Sequence, residues 1–77
     1  MPDKVPRVTG GQAVKAFCKA GYGVARTSSS HYFLEYPDKS RVSLSIPVHK
    51  GKILGVGLLG SKIKDAGMTV EEFRALL

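Results

Sequence analysis

TSSSHYFLEYPDKSRVSLSIP, residues Thr27–Pro47, holds two runs of alternating character around the turn Pro37-Asp38-Lys39-Ser40. In the first run, about residues 31–36, Tyr32, Leu34 and Tyr36 fall on one side, and His31, Phe33 and Glu35 on the other. That period of two belongs to a β-strand with one face toward a core. The second run, 41–46, sets Val42, Leu44 and Ile46 against Arg41, Ser43 and Ser45, the same strand pattern more cleanly drawn. Proline, aspartate and serine between the runs are turn formers. A second polar turn, Thr27 to Ser30, joins the first run to a shorter preceding strand, 22–26. Three strands linked by short turns predict an antiparallel meander, ended by Pro47.

Helical periodicity flanks the meander on both sides. Thr9 and Gln12 are spaced as a capping box, with Val8 and Ala13 as its hydrophobic staple. Ala13, Val14, Phe17 and Cys18 then recur at helical spacing, and Gly21 supplies the stop. The first helix is expected over about 10–20. After a basic loop, Val48 to Lys52, the residues Leu59, Ile63 and Ala66 form the stripe of a second helix over about 57–66, stopped by Gly67. Thr69 and Glu72 repeat the capping box, and a short third helix is expected over 70–76. The expectation is one domain over residues 1–77, with 1–7 a loose lead-in. Its class is α+β: α-β-β-β-α, a three-stranded antiparallel sheet with helices on one face and a short extra C-terminal helix. Val14, Phe17, Val24, Leu34, Val42, Leu44, Leu59, Ile63 and Phe73 should be buried together.

The 77 residues carry 12 Lys and Arg against 6 Asp and Glu, a net charge of +6. A small basic domain attracts polyanions, and a chain this short cannot enclose a deep cavity, so an open site on a polymer substrate is expected. Cys18 is the only cysteine, and His31 and His49 are the only histidines. Disulfides, cysteine-based zinc and histidine-rich metal sites are thereby excluded, and neither metal nor cofactor is expected. No stretch is long enough to span a membrane and no apolar signal region opens the chain; a reducing cytoplasm is the expected compartment.

His31 is the candidate for chemistry. It stands where a polar turn gives way to a strand, on the face opposite Tyr32, Leu34 and Tyr36, and imidazole can take and give protons near neutral pH. Phe33, Arg41, Ser43 and Ser45 share its face, a combination suited to RNA. Lys50, Lys52, Lys62 and Lys64, with Ser30 and Arg41, are the candidate RNA contacts, since cations and turn groups of this kind meet phosphates. Gly10-Gly11 precedes a helix but lacks the fingerprint of a phosphate-binding loop.

The order of four motifs resembles the HicA family of bacterial toxins. They are Lys19-Ala20-Gly21-Tyr22 at the end of the first helix, Ser30-His31-Tyr32 at a strand start, Ile46-Pro47-Val48-His49 at a strand end, and the run from Ile63 to Phe73. The resemblance implies a fold similar to double-stranded-RNA-binding domains. It also implies ribonuclease activity on messenger RNA, with His31 at the family's catalytic position, and neutralisation by a HicB-like antitoxin protein. Ser29 stands where the family motif usually has glycine, and Leu58 where threonine is usual. On this reading His31 acts as general acid or base in a metal-independent endoribonuclease, with His49 a candidate second proton-transfer group. The alternative is a non-catalytic RNA-binding module of the same fold.

Overall fold

Local capping sets most of the helix boundaries. In a computed structural model describing residues 4–77, the elements are α1 Gly10–Lys19, β1 Gly23–Thr27, β2 His31–Glu35, β3 Leu44–Pro47, α2 Val56–Asp65 and α3 Val70–Arg74. At the start of α1 the Gln12 amide N–H donates to Thr9 Oγ1 at 3.2 Å, and the Thr9 N–H donates to Gln12 Oε1 at 2.9 Å. Thr69 and Glu72 make the same reciprocal pair ahead of α3, at 2.8 and 3.1 Å. Each box satisfies two N–H groups that a helix start otherwise leaves open. Such a cap is worth about 1 kcal/mol. α2 follows Gly55, an N-cap that offers no side-chain hydrogen bond.

Gly21 and Gly67 end α1 and α2 in left-handed backbone, at φ 115° and 74°. The Tyr22 N–H reaches back to the Phe17 carbonyl and the Gly21 N–H to that of Cys18, both at 3.1 Å; Met68 and Gly67 do the same to Ile63 and Lys64. This is the double-bonded helix stop that glycine permits without a Cβ clash. Tyr22 also lays its ring edge-on to Phe17, centroids 6.0 Å apart, so the stop of α1 is tied into the core.

The sheet is antiparallel in the order β1-β2-β3. Leu34 pairs with Leu44 and Tyr32 with Ile46, which puts these four on one face; His31 pairs with Pro47 and Phe33 with Ser45 on the other. Phe17, Phe73, Leu34, Leu44, Ile46, Leu59 and Ile63 are fully buried together. All three helices therefore pack on the Leu34–Leu44–Ile46 face, and the His31 face stays open. The expected α-β-β-β-α order, the sheet and the extra helix are all present.

Two residues expected in the core are outside it. Val24 is 45% exposed and Val42 58% exposed. A register shift between Val24 and Arg26 places Val24 opposite Leu34. The strand side chains in the core nevertheless come from β2 and β3, so an edge-strand valine has no helix above it. Val42 lies before β3, which begins at Leu44 and not at 41. Its backbone is nevertheless engaged, since the Val42 carbonyl accepts the Tyr22 hydroxyl at 2.8 Å.

The shorter strand also moves Arg41 off the sheet face. Its guanidinium donates to the Ala66 carbonyl at the end of α2 and lies 5.4 Å from the Tyr36 ring centroid. Residues 1–3 of the lead-in fall outside the described residues. Of the rest of the lead-in, Val5 packs against the core; Val8, the residue that follows the lead-in, is buried and accepts from the Leu54 N–H at 2.8 Å. Among the described residues no helix is long and apolar enough to cross a membrane.

Candidate functional site

The 28–31 turn fixes His31 at the mouth of the sheet. The Ser28 N–H donates to the His31 carbonyl at 2.8 Å, closing the β1–β2 hairpin, and the Val48 N–H donates to the Ser30 carbonyl at 2.8 Å, tying the same turn to the end of β3. The His31 backbone is thus held from both neighbouring strands. Its ring is half-buried, and Nδ1 lies 3.2 Å from the Ser30 hydroxyl. A donor–acceptor hydroxyl there can accept from a protonated Nδ1 or donate to a bare one. Lys39 is the only non-glycine residue at positive φ among those described. The turn therefore needs no left-handed residue at Ser29, and serine in place of glycine costs it no backbone strain.

A row of side chains continues from His31 across the open face. The Phe33 ring stacks beside the imidazole, with centroids 6.3 Å apart and planes inclined by 28°. Arg26 of β1, opposite Phe33 in the register, sets its guanidinium carbon 4.2 Å from the Phe33 centroid. Ser45 flanks Phe33 from β3. Glu35, next on the same face of β2, is paired with Lys39 at 3.6 Å, so its charge is met locally.

The candidate RNA contacts divide into two groups. Lys50 and Lys52 are exposed on the turn that follows Pro47, a turn closed by the Lys52 N–H donating to the His49 carbonyl at 3.0 Å. Since Pro47 pairs with His31, these lysines, His49 and Ser30 belong to the His31 end of the sheet. Lys62 and Lys64 occupy the last turn of α2, next to Ala66 and hence to Arg41. Arg41 precedes Leu44, so this second group lies at the other end of the sheet and in its helical layer. The structure does not bring Arg41, Lys62 and Lys64 together with His31.

Arg26 is the site-face residue that sequence reasoning missed. The signal for it was present in the hairpin itself: a turn closed between residues 28 and 31 pairs Thr27 with Tyr32 and Arg26 with Phe33. Leu58, where threonine is usual, is a 40% exposed residue in the first turn of α2, away from the His31 face.

The family model described as HicA toxin of bacterial toxin-antitoxin matches residues 10–68. No curated protein and no solved structure matches the chain. The matched span runs from the first residue of α1 to the residue before the second capping box, so it takes in the whole sheet, the 28–31 turn, the basic loop and α2. The chain belongs to the HicA toxin family and is the toxin of a toxin–antitoxin system.

Proposed function

We infer that this toxin is a metal-independent endoribonuclease acting on messenger RNA in the cytoplasm, with His31 as its general acid–base and a HicB-like antitoxin as the partner that restrains it. The observation carrying the reading is the placement of His31. Its backbone is pinned by two strands, its Nδ1 is engaged by the Ser30 hydroxyl, and its ring sits on a sheet face that no helix covers. Ser30 occupies one ring nitrogen, so Nε2 is the one that meets substrate.

RNA carries its own nucleophile. On this mechanism the 2′-hydroxyl gives its proton to Nε2 as its oxygen attacks the adjacent phosphorus. The bond from phosphorus to the 5′-oxygen breaks, and that oxygen leaves with a proton. The products are a 2′,3′-cyclic phosphate and a 5′-hydroxyl. Lys50 and Lys52 supply positive charge at the end of the sheet where the phosphate would sit, and His49 on the same turn is the candidate for the second proton transfer. Ser30 acts through His31, holding the ring. Lys62 and Lys64 are left as contacts to phosphates distant from the cleaved bond.

The test is single-turnover cleavage of RNA in the presence of chelator. Wild type should cleave, and His31→Ala should lose about 10²-fold or more in rate while keeping its melting temperature and RNA affinity. His49→Ala should lose less. Cleavage by His31→Ala at the wild-type rate would leave the non-catalytic RNA-binding module as the better reading.

A further inference from the structure

Phe33 lies on the open face of the sheet, opposite the side that carries the core, and is half-buried there between strand neighbours. Its surroundings are those of a stacking platform. One side is met by the Arg26 guanidinium at 4.2 Å, and the ring of His31 follows at 6.3 Å along the same strand. Arginine over an aromatic face is attracted to its π-system, and a guanidinium plane can itself stack on a nucleobase. Glu35, the next residue on this face of β2, is paired with Lys39, so among the described residues the carboxylate that follows Phe33 along its strand has its charge met locally.

We propose that Phe33 and Arg26 form a base-binding subsite, taking one unpaired nucleobase of the strand whose phosphodiester lies at His31. The proposal rests on the reading of His31 as the RNA-cleaving residue, and it adds the feature that selects the substrate's conformation. A base can stack against the Phe33–Arg26 pair only after leaving its own stack. A duplex keeps its base faces inside and offers edges, hydroxyls and phosphates. The subsite therefore makes the toxin prefer single-stranded over paired RNA. It also sets which bond reaches His31, because the two rings are neighbours on one face of β2. An acidic protein segment could pair with Arg26, but it has no use for the ring of Phe33.

The experiment uses the full chain carrying His31→Ala, so that binding is read without cleavage. The probe is a short RNA with 2-aminopurine at one position, presented single-stranded and as a blunt duplex. Stacking on the platform should quench the single-stranded probe, and the duplex should bind more weakly. Adding Phe33→Leu should abolish the quench and weaken single-strand affinity roughly tenfold, with little change for the duplex. Phe33→Tyr should restore both, which a variant that merely damaged the fold would not. Arg26→Gln should reduce the quench in part. Equal affinity for the two probes, or an undiminished quench in Phe33→Leu, would overturn the proposal. So would binding of a polyglutamate peptide with the same dependence on Phe33. The fluorescence decides the subsite whether or not the wild-type toxin cleaves. Wild-type cleavage that is unaltered in rate and KM by Phe33→Leu would remove the subsite and leave the nuclease reading standing.

Discussion

Tyr22 shows what one partly buried hydroxyl does for this fold. It follows the glycine that stops α1, packs edge-on against Phe17 and Tyr36, and donates its hydroxyl to the Val42 carbonyl. That bond is what holds the irregular segment ahead of β3 against the end of α1. Burial pushes the phenol above its ordinary value of 10.0; the Arg41 charge opposes the shift, and Tyr36 and Asp65 add to it. The consequence for stability has a definite sign. Above about pH 10 the unfolded chain releases this proton while the folded chain keeps it. The native state then binds more protons, and its stability falls as pH rises. Tyr22→Phe should be less stable than wild type at about pH 7, by about 1 kcal/mol for the lost hydrogen bond. The gap should narrow as pH climbs past about 10. Urea unfolding of both proteins from about pH 7 to about pH 11 measures it; a constant gap would show that Tyr22 titrates alike in both states.

At the level of the elements, the start of α1 lies close against the end of β3. Gly10 and Gly11 are adjacent in sequence and opposite in surroundings. A Cβ on Gly10 would land on the Pro47 carbonyl oxygen and 2.9 Å from the Val48 Cα, whereas one on Gly11 would meet nothing within 4 Å. Gly10 is what lets the start of α1 touch the strand end that pairs with His31. Gly10→Ala must push helix and strand apart, at a cost of about 1–3 kcal/mol or more. Gly11→Ala should instead stabilise by about 0.4–1 kcal/mol, through the unfolded chain. Thermal melts of the two variants should shift in opposite directions; a Gly10→Ala protein melting at or above wild type would contradict the close contact. Because Pro47 neighbours His31, Gly10→Ala should also lower cleavage per folded molecule.

Charge is a property of the whole molecule, and its distribution gives a prediction that no single residue does. Net charge +6 makes RNA binding depend on counterion release, with about 0.7 counterions per phosphate contact on a single strand. Lys50 and Lys52 lie at the His31 end of the sheet, Lys62 and Lys64 at the other. Both double charge reversals should weaken binding. The slope of log affinity against log salt should fall by roughly one to two for Lys50→Glu with Lys52→Glu, two contacts being lost, and by less for Lys62→Glu with Lys64→Glu on a short oligonucleotide. Fluorescence anisotropy between about 50 and 300 mM salt, the range where such slopes are read, makes the comparison. Binding indifferent to salt in wild type would remove the polyanion reading itself.

Features governed by residues within about four positions of one another were legible from the chain alone. Both capping boxes, the stops at Gly21 and Gly67, the alternation of 31–36 and the outward side of His31 are of this kind, because their hydrogen bonds and steric limits are local. The class of the fold followed, since three short-linked strands flanked by amphipathic helices have few ways to pack. What a residue meets across the molecule was not legible. Val24 has the right face and no helix above it; Val42 has the right period and precedes the strand. Arg41 has the right spacing for the open face, yet it turns to the carbonyl that ends α2. The separation of Gly10 from Gly11, and of Lys50 and Lys52 from Lys62 and Lys64, comes from the way the helical layer lies on β2 and β3. Alternation records which side of a strand a residue takes, and tertiary packing alone decides what, if anything, lies on that side.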